Sequence, residues 1–340
     1  MMRRSTVAVC AAAALPCAAQ SITGYHIGNS LTWDSEPAFL SHYAADQGMA
    51  LQVGYHINCN RSLDMIAANP TQTCINVVPG FGYYQDAITN VDLTYVTAQP
   101  FWTPSSTLGS DIVVISDIDA RLSMNPNNTN TVLYIYQGWG WDWFMNNGSW
   151  DEPIVDDLDT LTDAADEYFV HLYNRVDAQL SRPVHIIPVG RVLNELRLRI
   201  LAGEIVGVTQ LSDFYRDPVH MSYDIGRFAA STTTAAIVMD RPPFGMHNTW
   251  IAIRGDGGYS TQTYIDIENT IWDVISADTR TGINTCLADT NRDGMLSPTD
   301  FTAWINAFGQ GWSLADQNRD GMVTPTDFTA WIANYSAGCN

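Results

Sequence analysis

The sequence predicts an α/β domain with a parallel sheet, followed by a small all-α domain. From Ser21 to about Val192, short apolar runs of strand length alternate with amphipathic helical patterns. This alternation is typical of parallel sheets that are covered by helices on both faces. After Cys286 the composition changes, and a pattern of about 27 residues occurs twice, as in repeat proteins. We therefore expect a large domain over residues 20–283 and a small one over residues 284–340.

The amino-acid composition excludes several classes of function for this chain. The chain has 340 residues, of which 46% are hydrophobic, so it can bury a sizeable core. Its net charge is -20, which argues against nucleic-acid binding and makes calcium a more natural partner for its carboxylates. All 16 basic residues are Arg. Without a Lys amine the chain has no Schiff-base chemistry, no P-loop nucleotide site and no Ser–Lys dyad.

The N-terminal residues predict export. Residues 1–19 look like a signal peptide, because Arg3 and Arg4 precede a short apolar core at residues 7–16. No stretch reaches the length of about 18 apolar residues that a transmembrane helix needs. We expect a protein that is secreted or held at the cell surface. An even number of Cys beyond the signal fits disulfides in an exported chain, and the expected pairs are Cys59–Cys74 and Cys286–Cys339.

Apolar periodicity assigns the individual elements. The near-continuous apolar run Asp111–Ser116 reads as a strand buried on both faces. Asp156–Leu180 carries the clearest helical spacing of apolar residues. The other predicted strands are Ile22–Ile27, Leu51–Ile57, Thr131–Tyr136 and Val184–Val189, and the other predicted helices are Pro37–Gln47, Asn194–Ala202, Tyr223–Val238 and Tyr264–Ala277.

A serine follows the first predicted strand directly. Gly28 and Asn29 tolerate the tight backbone of a strand-to-helix turn, and Ser30 comes next. In open α/β sheets, ligands bind at this carboxyl edge. Ser30 is therefore a candidate nucleophile. The alternative is that Ser30 only caps a helix, a common position for serine.

A candidate base occurs late in the large domain. His220 is the only His in a predicted loop with a carboxylate three residues before it, Asp217. That spacing lets Asp217 bond one ring nitrogen while the other faces a serine. Structural capping by Asp217 would explain the spacing about as well.

An aromatic segment follows the Thr131–Tyr136 strand. Trp139, Trp141, Trp143 and Trp150 occur close together with Phe144. The segment is predicted to be a loop at the carboxyl edge of the sheet. The tryptophans either stack on sugar rings, or cover the site as a lid, or fix a long loop to the core.

The C-terminal repeat has the spacing of calcium loops. Oxygen ligands at alternate positions wrap the cation, Gly at position six makes the sharp turn, and position seven offers its backbone carbonyl. Asp at position twelve replaces the usual Glu and has a shorter reach. We expect two Ca²⁺ ions, one per loop. The predicted ligands are Asp289, Asn291, Asp293, Met295, Ser297 and Asp300 in the first loop, and Asp316, Asn318, Asp320, Met322, Thr324 and Asp327 in the second.

These motifs resemble two known families. Two calcium loops, each followed by a single helix, resemble a dockerin module, which implies calcium-dependent folding and a cohesin-like docking partner. Gly28-Asn29-Ser30-Leu31 together with Asp217-Pro218-Val219-His220 resembles the SGNH (GDSL-like) hydrolases. That resemblance implies a flavodoxin-like three-layer sandwich. It also implies that Ser30 is the nucleophile, His220 the general base and Asp217 its orienting partner, with no cofactor for catalysis.

The oxyanion hole departs from the SGNH pattern. The family pattern has a Gly after the second strand, and residues 58–63 contain none. A backbone N–H of Asn60 or Arg61 can still donate there. Gln137, in a Tyr-Gln-Gly segment like that of some carbohydrate esterases, is either a further donor or an ordinary strand-end residue.

The motifs together predict a function. We expect a secreted serine esterase that hydrolyses acyl esters, with acetyl groups on polysaccharides as the candidate substrate, and that carries a calcium-dependent docking module. The alternative is a non-catalytic glycan-binding or cell-surface scaffold protein on the same fold.

Overall fold

The large N-terminal part is built around a five-stranded parallel sheet. The computed structural model describes residues 21–101, 107–151 and 166–339. All neighbouring strands of the sheet run parallel, in the order β2-β1-β3-β4-β5. This order belongs to doubly wound α/β sheets and places a topological switch point between β1 and β3. The strands are β1 (Ser21–Gly28), β2 (Ala50–Ile57), β3 (Tyr95–Ala98), β4 (Val132–Gln137) and β5 (Val184–Pro188).

Helices surround the sheet. In the described ranges the α-helices are α1 (Ser30–Asp34), α2 (Leu40–Asp46), α3 (Leu63–Ala68), α4 (Tyr84–Asn90), α5 (Leu108–Leu122), α6 (Asp142–Asn146), α7 (Asp166–Gln179), α8 (Val189–Ala202), α9 (Ile225–Val238), α10 (Met246–Arg254), α11 (Thr261–Ala277), α12 (Pro298–Gln310) and α13 (Thr326–Ala337). Short 3₁₀ turns occur at Pro37–Phe39, Pro126–Asn128, Ser149–Asp151, Leu211–Phe214, Thr279–Thr281 and Ser313–Ala315.

The helices form two packed groups, consistent with a three-layer α/β architecture. Helices α3, α4 and α7 pack on α5, whereas α2, α8, α10 and α11 pack with α9 or with one another. Every residue of β3 is buried, and so are nearly all of β4 and β5. Strands buried along their length are covered on both faces. The Ala- and Thr-rich α9 is itself buried on all sides, as its composition predicts.

The predicted strand at Asp111–Ser116 is wrong, because these residues lie inside α5. A Thr107–Ser110 capping box starts the helix, and Val113 is 68% exposed, so the run is amphipathic rather than buried on both faces. A short apolar run cannot distinguish a buried strand from a helix by periodicity alone. The third strand is instead Tyr95–Ala98, only four residues long, which the sequence analysis missed.

The remaining predicted elements agree with the structure at their cores. The predicted helix Asp156–Leu180 is described only from Asp166, where α7 begins, and residues 156–165 lie outside the described residues. The predicted strand Val184–Val189 ends at Pro188, since Val189 already begins α8. The signal segment, residues 1–19, lies outside the described residues as well.

The C-terminal repeats form a small core of their own. Trp304 of α12 and Trp331 of α13 are buried together, while the large part has a separate hydrophobic core. The predicted apolar faces are only partly covered, since Phe301, Ile305, Phe328 and Ile332 remain 38–49% exposed. Both predicted disulfides are confirmed, Cys59–Cys74 and Cys286–Cys339, with Cα atoms 5.7 Å and 5.2 Å apart. Across the described ranges, none of the helices has the length and apolar character needed to cross a membrane.

Candidate functional site

The candidate site lies at the carboxyl edge of the sheet, at the topological switch point between β1 and β3. Ligands of doubly wound sheets bind in the crevice at such a switch point. The turn after β1 carries Asn29 and Ser30, and the residue after β3 is Gln99. The two strand ends are directly bonded, because Asn29 N–H donates to Gln99 Oε1 over 3.0 Å.

Ser30 occupies the first position of α1 and does not cap it. The cap is Asn29, whose Oδ1 accepts from Leu31 N–H at 2.9 Å. The Ser30 side chain is half-buried, and its hydroxyl makes no hydrogen bond within the described ranges. The capping role considered for Ser30 therefore belongs to its neighbour Asn29.

Gly28 and Gln99 fix this turn. A Cβ at position 28 would lie 2.1 Å from Thr32 Oγ1 and 2.7 Å from Gln99 Oε1, so only glycine fits. Gln99 Oε1 also accepts from Thr32 N–H at 3.1 Å and from Thr32 Oγ1 at 2.7 Å. Sequence reasoning missed Gln99 because it missed β3. The signal was present as a polar residue directly after Tyr-Val-Thr-Ala.

The predicted base lies at the tip of a hairpin-like loop. Tyr215 and Met221 form an antiparallel bridge, and Arg216 N–H donates to His220 O at 3.0 Å. Asp217 Oδ1 accepts from the N–H of His220 at 2.9 Å, so the carboxylate caps its own turn. The same carboxylate lies 2.8 Å and 2.9 Å from Nδ1 of His220. The capping role and the orienting role therefore coexist in Asp217.

The surroundings keep Asp217 ionised. Partial burial acts to raise the pKa of Asp217, but hydrogen bonds from the Val219 and His220 N–H groups and from the His220 ring outweigh it. The pKa of Asp217 therefore lies below its usual value. An ionised carboxylate accepts a proton-bearing Nδ1, which leaves Nε2 of His220 as the nitrogen available to a substrate or a serine.

Asp34 brings the helix of Ser30 to the loop of His220. Ser30 and Asp34 are four residues apart in α1 and so share one helix face. The Asp34 carboxylate is fully buried and accepts from Met221 N–H at 2.9 Å, the residue next to His220. Arg216 donates to Asp34 at 3.1 Å and to Met221 O. The face of α1 that carries Ser30 therefore points toward the loop of residues 215–221, which we call the base loop.

The structure does not join Ser30 to His220 by a hydrogen bond. In the part of the chain that is described, neither the Ser30 hydroxyl nor His220 Nε2 has a bonded partner. Nucleophile–base contacts are often loose in proteins without a ligand and tighten when substrate binds. The Ser30–His220 bond therefore stays a prediction.

The predicted oxyanion donors differ in their placement. Asn60 has a left-handed backbone, with φ at 55°, in the loop after β2. Asn29 Nδ2 donates to Arg61 O at 3.0 Å, which ties this loop to the turn that precedes Ser30. The N–H groups of Asn60 and Arg61 have no acceptor in the described part of the chain. They remain candidates for an oxyanion.

Gln137 is engaged away from Ser30. Its Nε2 donates to Asp166 Oδ1 at 2.8 Å, and its Oε1 accepts from Arg191 N–H at 3.1 Å. Both ends of the buried amide are therefore used in linking β4 to α7 and α8. This geometry favours the ordinary strand-end role over the donor role for Gln137.

The aromatic segment divides into two pairs. Trp139 and Trp150 are buried, and Trp139 Nε1 donates to Val219 O at 2.7 Å, holding the base loop. Trp141 and Trp143 are 51% and 59% exposed, with ring centroids 6.4 Å apart. Trp143 lines a cleft of about 440 Å³ together with Tyr215, Arg216, Asp217 and Pro218. The buried pair thus fixes the segment to the core, and stacking on sugar rings stays a prediction for the exposed pair.

Three other histidines, His26, His56 and His247, have structural surroundings. His26 is completely buried, and burial lowers its pKa to about 3. Burial also lowers the pKa of His56 to about 4, although a bond to Gln72 O opposes it. His247 is paired inside the protein with Glu268, 3.0 Å away. None of these three is placed to serve Ser30 as a base.

The two repeat loops adopt the same turn geometry. Gly294 and Gly321 have φ values of 82° and 77°, as the sharp turn at position six requires. In both loops the glycine N–H donates to the position-one Asp at 2.8 Å. The position-twelve Asp accepts from the position-nine N–H, also at 2.8 Å in both copies.

The loop chemistry fits a hard cation. Asp289, Asp300, Asp316 and Asp327 are buried, and buried carboxylates normally pair with a cation or bind a metal. Burial and then the neighbouring Asp327 raise the pKa of Asp316 to about 7. No three His, Cys, Asp or Glu side chains in the described residues converge as a metal site. Amide, hydroxyl and backbone oxygens would have to complete the shell, as they do for Ca²⁺.

Comparisons with known proteins add little to this geometry. No protein-family model matches the chain, and no curated protein matches it. One solved structure that is similar to this chain is that of a DUF4886 family protein from Bacteroides uniformis. It is 16% identical, with a TM-score of 0.49, over 75% of this chain and 95% of that chain. A likeness of this degree carries no information about activity.

Proposed function

We propose that the protein is a secreted serine esterase of the SGNH type, with a calcium-binding dockerin-like module at its C-terminal end. One observation carries the catalytic part. The buried Asp34 carboxylate joins the helix of Ser30 to the loop of His220, and Asp217 holds His220 Nδ1 at 2.8 Å. These contacts support the proposal that Ser30, His220 and Asp217 act as a catalytic triad.

The proposed reaction proceeds through an acyl-serine intermediate. His220 Nε2 takes the proton of Ser30 Oγ as the oxygen bonds to the ester carbon. The resulting oxyanion collapses, the bond to the alcohol oxygen breaks, and His220 gives its proton to that oxygen. A water then attacks the acyl group, passes a proton to His220, and releases the carboxylic acid as Ser30 regains its hydrogen. Asp217 stabilises the imidazolium in both steps.

Backbone groups supply the proposed oxyanion hole. The N–H of Ser30 and that of Asn60 or Arg61 are the candidates, since Asn29 holds the Arg61 loop beside the nucleophile turn. Gln137 is not included, because its amide is committed to Asp166 and Arg191.

The exposed tryptophans support an acylated carbohydrate as the substrate. Trp143 lines the cleft that reaches Asp217, and Trp141 stands beside it. Aromatic faces at a solvent-exposed cleft suit stacking on sugar rings, each contact contributing about 1 kcal/mol. The rival function, glycan binding without catalysis, would use the same two residues.

Replacing both Trp141 and Trp143 with Ala separates these functions. We expect KM for an acetylated polysaccharide to rise about tenfold or more, while kcat for a small activated ester stays unchanged. Released acetate measures turnover of the polysaccharide, and released chromogenic alcohol measures turnover of the small ester. Leu201→Ala is the control, because Leu201 is 73% exposed and lies on α8, outside the cleft. Polysaccharide retention lost in the double variant, with no turnover of either ester by the parent protein, would instead establish the glycan-binding function.

The calcium module completes the proposal. The loop residues would hold two Ca²⁺ ions through the carboxylate, amide, hydroxyl and carbonyl oxygens named above. Calcium supplies folding energy there and takes no part in ester hydrolysis. The half-exposed face formed by Phe301, Ile305, Phe328 and Ile332 is the proposed docking surface for a cohesin-like partner. Two disulfides are compatible with export to an oxidising compartment.

A further inference from the structure

The two repeat loops are alike in sequence and differ in their surroundings. Arg292 and Arg319 occupy position four of their loops, both with left-handed backbones at φ 60° and 66°. A Cβ at Gly294, in the first loop, would meet no atom within 4 Å. A Cβ at Gly321, in the second loop, would lie 2.9 Å from Ile265 and 3.1 Å from His247. The turn of the second loop is therefore packed against α10 and α11 of the α/β part.

Arg319 carries the second loop onto α11. Its Nη2 lies 2.7 Å from Asp273 Oδ1, and its Nε donates to Asn269 Oδ1 at 3.1 Å. The guanidinium also lies 5.3 Å from the centre of the Phe244 ring. Asn269 Nδ2 in turn donates to the backbone oxygen of Arg319 at 3.4 Å. The Arg319 Nη2 group also donates to the backbone oxygen of Asn269 at 3.3 Å, so an ion pair, three hydrogen bonds and a cation–π contact converge on one loop residue.

The segment between the repeats makes a second contact with the α/β part. Ser313 donates from its N–H and its hydroxyl to Gln47 Oε1, at 3.0 Å and 2.9 Å. Both residues are buried there. The Trp312 ring fills the space above Gly48, where a Cβ would lie 2.3 Å from the indole. This contact lies at the end of α2, beside α10.

The first loop is connected through Asn284. Its N–H donates to Asp240 Oδ1 at 2.8 Å, and its Nδ2 donates to Asp289 Oδ2 at 2.6 Å. Asp289 is the position-one ligand of the proposed first calcium site, and Asp240 follows the buried α9. Arg292 Nη1 donates to the backbone oxygen of Asn284 at 2.5 Å. A predicted domain boundary at residue 284 therefore falls within a bonded cluster.

We propose that the face of the C-terminal repeats that carries the two loops binds the α/β part of the same chain. Calcium in the second loop therefore stabilises α11. This inference rests on the calcium sites proposed above. Calcium bound to Asp316, Asp320 and Asp327 fixes the loop backbone that aims Arg319 at Asp273. Phe301 and Phe328 stay partly exposed and accessible to an external partner.

Hydrogen exchange of the full-length protein tests the coupling. Calorimetry first gives the Kd for calcium. At about one hundred times that Kd, the protection factors of coupled α11 amides are expected to rise about a hundredfold over those in chelator. Arg319→Ala should keep calcium binding by calorimetry and lose most of the gain in α11 protection. Bound calcium with no change in α11 protection in the parent protein would overturn the coupling alone. No calcium binding would overturn the calcium sites themselves.

Two glycine variants provide a matched comparison. Gly294→Ala and Gly321→Ala place the same strain at position six of their own loops, since both positions have positive φ. Only Gly321→Ala adds a clash with Ile265. We expect α11 protection in calcium to fall in Gly321→Ala and to remain near the parent value in Gly294→Ala. Equal effects of the two variants on α11 would contradict the inference.

Discussion

Ser30→Ala is expected to lower kcat/KM for an activated short-chain ester by a factor of about 10⁴ or more. The variant removes the oxygen that is proposed to form the acyl intermediate, and the remaining catalysis would come from the oxyanion donors and substrate binding alone. The fold should survive, because Asn29 caps α1 and Gln99 holds the turn without using the Ser30 hydroxyl. Initial rates and thermal unfolding of purified protein measure both effects.

Two further variants complete this test. Ser41→Ala is the control, since Ser41 is a half-buried serine on α2 whose hydroxyl donates only to Ala38 O, one turn before it. Its rate should match that of the parent protein. His220→Ala should be nearly as damaging as Ser30→Ala, and the double variant little worse, because the residues act as a unit. A Ser30→Ala protein that keeps a tenth of the parent rate would rule out Ser30 as the nucleophile.

Asp34→Ala is expected to destabilise the protein by about 3–5 kcal/mol. Asp34 is fully buried and accepts from Arg216, Arg227 and the Met221 N–H. Its removal leaves two guanidinium groups short of their counter-charge and one buried N–H without an acceptor. Denaturant unfolding measures the loss. The residual folded protein should also turn over ester more slowly, because Met221 no longer fixes the position of His220.

Asp117→Ala provides the comparison for this effect. Asp117 is 46% exposed and pairs with Arg121 one turn along α5. Exposed pairs of this kind contribute only about 0.5 kcal/mol. A loss of stability in Asp34→Ala no larger than that in Asp117→Ala would show that the Asp34 cluster does not hold α1 to the base loop.

Much of the fold could be predicted from local patterns. Strands β1, β2, β4 and β5 are apolar runs bounded by turns, and the disulfides follow from which domain each Cys occupies. The strand predicted at Asp111–Ser116 was wrong because four consecutive β-branched or apolar residues fit a buried strand and a helix equally. The Thr107–Ser110 capping box, a local signal, decided for the helix.

The site was predictable only in part, for a different reason. Ser30, Asp217 and His220 belong to short motifs, so the sequence shows them. Asp34 and Gln99 act through partners far along the chain, and no local pattern indicates a bond from residue 34 to residue 221. The two roles of the tryptophans also depend on burial, which separates Trp139 from Trp143 although only three residues lie between them.

We propose that Ser30 becomes acylated with the help of His220. The most direct measurement is labelling of the folded full-length protein with a fluorophosphonate, whose phosphorus bonds to an activated serine oxygen as fluoride leaves. Peptide mass spectrometry then locates the adduct. We predict one adduct per chain, on Ser30, and its loss in a folded His220→Ala variant. A label on another residue, or ester turnover by protein that takes no label at Ser30, would contradict the account.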